Sequence, residues 1–154
     1  MATRIQSLYL LLAALLAFGS MALPFWSFTA GQAILIGDFS TLEGAGMLFS
    51  TGSVTSGILS PVTGIASLAA IFLFRNRKLQ RQLILLCMLF FAGDLLSALG
   101  AAHVLNQHLQ GTGAVVMHQP ATGLFLLLPE PLLFWLALRG VQKDEKIATA
   151  YKRL

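Results

Sequence analysis

Apolar residues in this chain gather into four long runs separated by polar links. Residues 5–28 carry no charge, and their centre, 8–23, is almost wholly Leu and Ala. Residues 56–74 form a shorter run that opens on Ser56 and Gly57. Residues 83–105 form a third run with one acid, Asp94, and 122–138 a fourth with one acid, Glu130. A helix rising 1.5 Å per residue needs about 20 mostly apolar residues to cross a hydrocarbon core of roughly 30 Å. Each run is too long for an ordinary core helix and too apolar for an exposed one. The pattern predicts an all-α membrane protein, a single domain over 1–154 built as a bundle of four transmembrane helices.

Charge gives the bundle a direction. The ten Lys and Arg residues sit in three places. Arg4 precedes the first run; Arg75, Arg77, Lys78 and Arg81 lie between the second and third; Arg139, Lys143, Lys146, Lys152 and Arg153 follow the fourth. The links over 29–55 and 106–121 have none. Cytoplasmic links are enriched in Lys and Arg, so this alternation predicts both termini inside. Phe25, Trp26 and Phe28 are expected at the outer interface as an aromatic belt, with Trp135 near the inner one. Arg4, the apolar run and Ser20-Met21-Ala22 also fit a cleavable secretory signal. The run continues uncharged through Leu23-Pro24-Phe25-Trp26, so a retained first helix is the expectation.

Composition supports the bilayer. The chain is 56% apolar and 10% charged, against about 45–50% and about 25% in soluble domains. The net charge of +4 resides at the ends of apolar runs, a pattern of orientation rather than of phosphate recognition, so no nucleic acid is expected. Cys87 is the one cysteine. It excludes an intramolecular disulfide, a Cys-x-x-Cys redox pair and a multi-thiolate metal site.

Three stretches carry a family pattern: Arg4-Ile5-Gln6-Ser7-Leu8-Tyr9-Leu10-Leu11-Leu12, then Phe72-Leu73-Phe74-Arg75-Asn76-Arg77-Lys78-Leu79-Gln80, and Leu136-Ala137-Leu138-Arg139-Gly140-Val141-Gln142-Lys143-Asp144-Glu145-Lys146. Together they resemble the four-span membrane proteins of Bacteroidota grouped as domain-of-unknown-function family 4293. The resemblance runs end to end. It implies a bacterial inner (cytoplasmic) membrane and brings no catalytic residues. The end of the chain, Thr149-Ala150-Tyr151-Lys152-Arg153-Leu154, departs from the family's close on an acidic residue amid arginines.

The residues that bear chemistry are few. An ionised acid at the centre of a span costs about 2.5–3.5 kcal/mol on insertion scales. Counted at 1.5 Å per residue, Asp94 lies about 20 Å from Arg81 and Glu130 about 13 Å from Arg139. Their depths differ by roughly one helical turn, which leaves a carboxyl pair open if spans three and four pack together. Pro129 and Pro131 flank Glu130, and each frees a carbonyl four residues earlier, on Phe125 and Leu127, at a kink. Two readings stay open: neutral acids bonded to Ser or Thr within a structural kink, or a binding site for a cation or proton. We expect Asp94 to face the bundle.

Other patterns are weaker. Ser56, Ser60 and Gly64 recur every four residues on span two, as do Gly93, Ser97 and Ala101 on span three, spacing suited to close helix packing in lipid. His103 and His108 miss the i, i+4 spacing of paired helix ligands, and His118 falls in a link, so solvated histidines and no metal or other cofactor are expected. Gly44-x-Gly46 and Gly111-x-Gly113 do not follow a strand and open a helix as phosphate loops do. A loose loop or a short hairpin of 33–36 with 47–49 fits the first outer link. In the cytoplasmic tail 139–154, Gly140 is a poor helix residue, and 141–154 is expected as a short amphipathic helix against the inner leaflet or a cytoplasmic partner, with Ile147, Tyr151 and Leu154 on one face. The expected role is a non-enzymatic accessory or assembly subunit, among other membrane proteins or copies of itself. The rival is a small ion-coupled or lipophilic-substrate carrier using Asp94 and Glu130, with a lipid-acting enzyme third.

Overall fold

The first apolar run stops being a helix well before its charge-free stretch ends. In the computed structural model, which describes residues 5–113 and 115–151, helix α1 covers Ile5–Met21. Pro24 supplies no backbone donor and biases Leu23 away from helical geometry. The chain then enters strand β1, Trp26–Ala30, turns at Gly31 with φ of 79°, and returns as β2, Gln32–Ile36. Strand β3, Met117–Pro120, pairs with the other edge of β1, giving the antiparallel order β2-β1-β3 with Phe28 opposite Ile34 on one side and His118 on the other. The aromatic-belt expectation is corrected here. Phe25 and Phe28 are 3% and 1% exposed, packed with Ile36, Phe49, Ala98 and Leu105 in one core rather than facing lipid.

Helix α2 covers Gly46–Phe72 and passes through Pro61. It begins well before Ser56, so the hairpin of 33–36 with 47–49 does not form: the second of those patches is the first turn of α2. After a 3-10 turn over Leu73–Arg75, the Asn76 side chain accepts from the Leu79 N–H at 3.3 Å and caps helix α3, Arg77–Gly111. Helix α4, Thr122–Leu127, is separated by Leu128 and Pro129 from helix α5, Glu130–Tyr151. Of the four spans expected over 5–28, 56–74, 83–105 and 122–138, the first and fourth keep their starts, the second ends within two residues of its expected end, and the other ends shift. Three segments, Gly46–Arg75, Arg77–Gly111 and Thr122–Ala150, are long and apolar enough to cross a membrane, and α1 is a shorter apolar helix.

The helices close into a ring in which α1 packs on α2 and α5, α2 on α3, and α3 on α5. Two apolar cores fill it. One gathers Leu10, Ala13, Ile84, Phe91, Phe134 and Val141, and the other joins Phe28, Ile36 and Phe49 to Ala98 and Leu105 beneath the sheet. The outward faces stay apolar, with Leu15, Ile65, Leu89 and Leu96 each at least 60% exposed.

The tail is the second correction. No separate surface helix forms, because α5 continues unbroken through Gly140. A Cβ at Gly140 would lie 2.9 Å from Gln6 Oε1, so this glycine lets α1 approach instead of ending a helix. Gln6 Nε2 donates to Asp144 Oδ2 at 3.1 Å, Arg77 donates to the Asp144 carbonyl, and Arg81 pairs with Glu145 at 3.3 Å. The half-exposed ion pair is worth less than about 1 kcal/mol, and the buried face around Val141 holds the extension in place. Arg4, Lys152, Arg153 and Leu154, and the side chain of Tyr151, lie outside the described residues.

Candidate functional site

A polar layer crosses the bundle interior. On α2, Ser53, Ser56, Ser60, Thr63 and Ser67 are all buried, and on α3 Asp94 sits between Phe91 of one core and Ala98 of the other. Asp94 is 2% exposed. Its Oδ1 accepts from the Ser56 hydroxyl and its Oδ2 from the Ser60 hydroxyl, both at 2.6 Å. The four-residue spacing of the serines places both donors on one face of α2. Glu130, 1% exposed, stands in the first turn of α5, where the break at Pro129 has placed a helix start inside the bundle. Its Oε1 has no hydrogen-bond partner, and it lies within electrostatic range of Asp94. Pro131 follows Glu130 at the second position of α5, a place that tolerates the missing donor.

The third member of the site is Asp38, in the link between β2 and α2. Ser56 Oγ lies 2.9 Å from Asp38 Oδ1. Burial pushes this carboxyl up to about 6; the Ser56 bond pulls it down and the Asp94 charge pushes it up. The short link is pinned to α2. The Gly37 N–H donates to Ser40 Oγ at 2.8 Å, Ser53 Oγ donates to the Gly37 carbonyl at 3.2 Å, and the Phe39 N–H donates to the Ser53 carbonyl at 3.3 Å. Phe39 holds a φ of 58°, an outlier for a bulky residue. Its ring packs on Gly57, where a Cβ would come within 2.7 Å. Small side chains on α2 thus seat the loop that carries Asp38.

The repeated small residues divide between neighbours. Ser56 and Ser60 serve Asp94, whereas Gly64 takes the Phe18 ring of α1, 2.8 Å from where a Cβ would stand. A Cβ at Gly93 would meet Leu59 at 3.2 Å. Ser97 and Ala101 face Gly52, which sequence reading missed, with the Ser97 carbonyl 3.0 Å from that Cβ position. Arg75, Arg77, Lys78, Arg81, Arg139, Lys143 and Lys146 belong to the opposite end of the bundle, and the Arg139 guanidinium stacks 3.9 Å above the Trp135 ring. Among the described residues none of these cations pairs with Asp38, Asp94 or Glu130.

The histidines fall elsewhere. His103 and His108 lie on α3, which outruns its expected end, and His118 lies on β3. His103 and His118 line a cavity of about 190 Å³ with Trp26 and Phe28. Among the described residues, no group of three His, Cys, Asp or Glu is placed to hold a metal ion. The chemistry on offer at Asp94 is hydrogen bonding and proton exchange between carboxyls and hydroxyls.

Neither the curated proteins nor the solved structures contain a match to this chain. A family model does match, over residues 2–154, and the chain belongs to the family described as a domain of unknown function, DUF4293.

Proposed function

We propose that this chain is a four-span protein of a bacterial inner membrane, N-in and C-in, acting as a non-enzymatic accessory or assembly subunit of a larger membrane complex. The observation that carries this reading is the disposition of its surface. Apolar side chains cover the outward faces of the ring, and beyond the ring the described residues form little more than a small sheet. Such a chain offers other membrane proteins, or a second copy, long apolar faces and no separate working domain. The family resemblance adds the Bacteroidota inner membrane. Orientation rests on the basic residues: a reporter inserted near Lys78 or fused after Leu154 is expected in the cytoplasm, and one near Gly44 or Gly111 in the periplasm. Opposite labelling at any of these points overturns the topology.

A second reading, a small ion-coupled or lipophilic-substrate carrier, is favoured by one observation: two acids, Asp94 and Glu130, buried in the ring with no cationic partner among the described residues. Buried intramembrane acids mark ion and proton paths in many membrane proteins. Native mass analysis after extraction in mild detergent separates the two. A stoichiometric protein partner is expected for the subunit, and a dimer retaining lipid or drug-like ligand for the carrier.

A further inference from the structure

Ser56 makes two contacts that one hydroxyl cannot satisfy alone. Its Oγ is 2.6 Å from Asp94 Oδ1 and 2.9 Å from Asp38 Oδ1. A serine hydroxyl carries one proton and can donate once, while its lone pairs accept. If it donates to one carboxylate, the other contact holds only when that second carboxyl brings a proton of its own and donates it to Ser56 Oγ. Two ionised carboxylates on a single donor would instead repel across a buried site with no cation to offset them. The surroundings provide none. From α2 the site is faced by Ser56 and Ser60, from α3 by Asp94, and from α5 by Glu130. The described part of α1 has no charged side chain, and the described Lys and Arg residues lie at the other end.

We propose that Asp38, Ser56 and Asp94 form a proton-binding site at the sheet end of the bundle, in which one proton is shared between the two carboxyls through the Ser56 hydroxyl. Glu130 is the second observation that points to the same ligand. It is 1% exposed, its Oε1 has no partner, and it lies within electrostatic range of Asp94. The sharing balances with nothing added: as the proton crosses, the O–H bond on one carboxyl breaks while that on the other forms, relayed by the Ser56 hydroxyl, and the negative charge moves the opposite way. Half-buried Asp38 is the entrance, and the Phe39 ring on Gly57 holds that entrance against α2. A metal ion is a poorer occupant, since a hard cation recruits six or more oxygens at about 2.3–2.6 Å. The site deepens the carrier reading and rests on it for any role in transport, but proton occupancy itself is read without transport.

The test is infrared spectroscopy of the full chain in lipid nanodiscs, with aspartate labelled by carbon-13 at the side-chain carboxyl. The label separates Asp38, Asp94 and Asp144 from the three glutamates. A protonated aspartic acid band that shifts with the label is expected, lost as pH rises with a midpoint of about 6. Asp38→Asn should abolish that titration, and Asp94→Asn should move its midpoint downward by removing the like charge. Ser56→Ala should uncouple the two acids, so that Asp94→Asn added to it moves the midpoint far less. Ser56→Thr, which keeps the hydroxyl, should preserve the wild-type profile and shows that the fold is intact. The proposal is overturned if the wild type has no label-sensitive protonated band, or if Asp38→Asn leaves the titration unchanged. Loss of the band on adding sodium at constant pH would give the site to a metal cation and overturn it equally.

Discussion

Gly123→Ala is expected to destabilise the protein by about 2 kcal/mol, although alanine is the better helix former. A Cβ at Gly123 would lie 2.7 Å from the Leu23 carbonyl oxygen and 2.9 Å from that of Pro24. Both belong to backbone that cannot retreat freely. The Gly123 N–H donates to the Pro24 carbonyl at 2.9 Å, the Ala121 N–H to the Phe25 carbonyl at 3.0 Å, and the Phe25 N–H to the Ile36 carbonyl at 2.8 Å. This is the joint at which the end of α1, the sheet and the start of α4 are tied together. Overpacking costs about 1–3 kcal/mol and occasionally more. Replacing a helical glycine by alanine returns no more than about 1 kcal/mol. With backbone on the other side of the clash, the steric cost wins. Gly100→Ala is the control. Nothing lies within 4 Å of its Cβ position in α3, so the propensity gain of up to about 1 kcal/mol should appear unopposed. Thermal unfolding of both variants in mild detergent checks the pair, and a Gly123→Ala protein as stable as wild type would show the joint to be loose.

That joint also shows where the sequence was legible and where it was not. A charge-free stretch of leucine and alanine announces a helix through local propensity and apolar length, and helices stand where all four runs predicted them. Their ends are set by tertiary partners. The apolar character of 5–28 persists past Met21, but Pro24 and the pairing of β1 with β2 and β3 divert it into a sheet. The β1–β3 register links segments about ninety residues apart, and a five-residue strand such as Trp26–Ala30 has too little alternation to announce so distant a partner. By propensity Gly140 is a poor helix residue, and the expected tail helix starts only after it. In the fold it is the space that Gln6 fills, a reason invisible without α1 alongside. The site divides the same way. Asp94 and Glu130 were conspicuous because each is a lone acid in an apolar run. Asp38 sits in a polar link where acids are commonplace. Its importance arises from Ser53, Ser56 and Gly57, one face of an α2 that begins earlier than its apolar run implied.

The same face supplies the second large effect. Asp94→Leu keeps the branching of the side chain, takes the carboxyl from Ser60 and leaves Ser56 with Asp38 alone. Two opposed quantities decide the outcome. Leaving a buried hydroxyl without a partner costs about 1–3 kcal/mol, softened here because a helical serine or threonine can fall back on the preceding turn, as Thr63 does on the Leu59 carbonyl at 2.8 Å. Against this, an ionised acid at the centre of a span costs about 2.5–3.5 kcal/mol to place, and the substitution relieves that cost if Asp94 carries a charge. Below the titration midpoint, at a pH of about 5, the proton shared through Ser56 leaves the carboxyl little charge to relieve, so Asp94→Leu is expected there to lose about 2 kcal/mol. Ser56→Ala with Ser60→Ala should lose a similar amount by leaving Asp94 unbonded. The triple variant removes Asp94 together with both its donors, leaving only half-buried Asp38 without its Ser56 contact, and should return to within about 1 kcal/mol of wild type. Equilibrium unfolding of the three proteins gives a coupling energy that should exceed about 1 kcal/mol. Strict additivity would mean that the serines and the acid do not act as a unit. A gain in stability from Asp94→Leu alone would mean that Asp94 is buried ionised, contrary to a neutral, proton-sharing carboxyl.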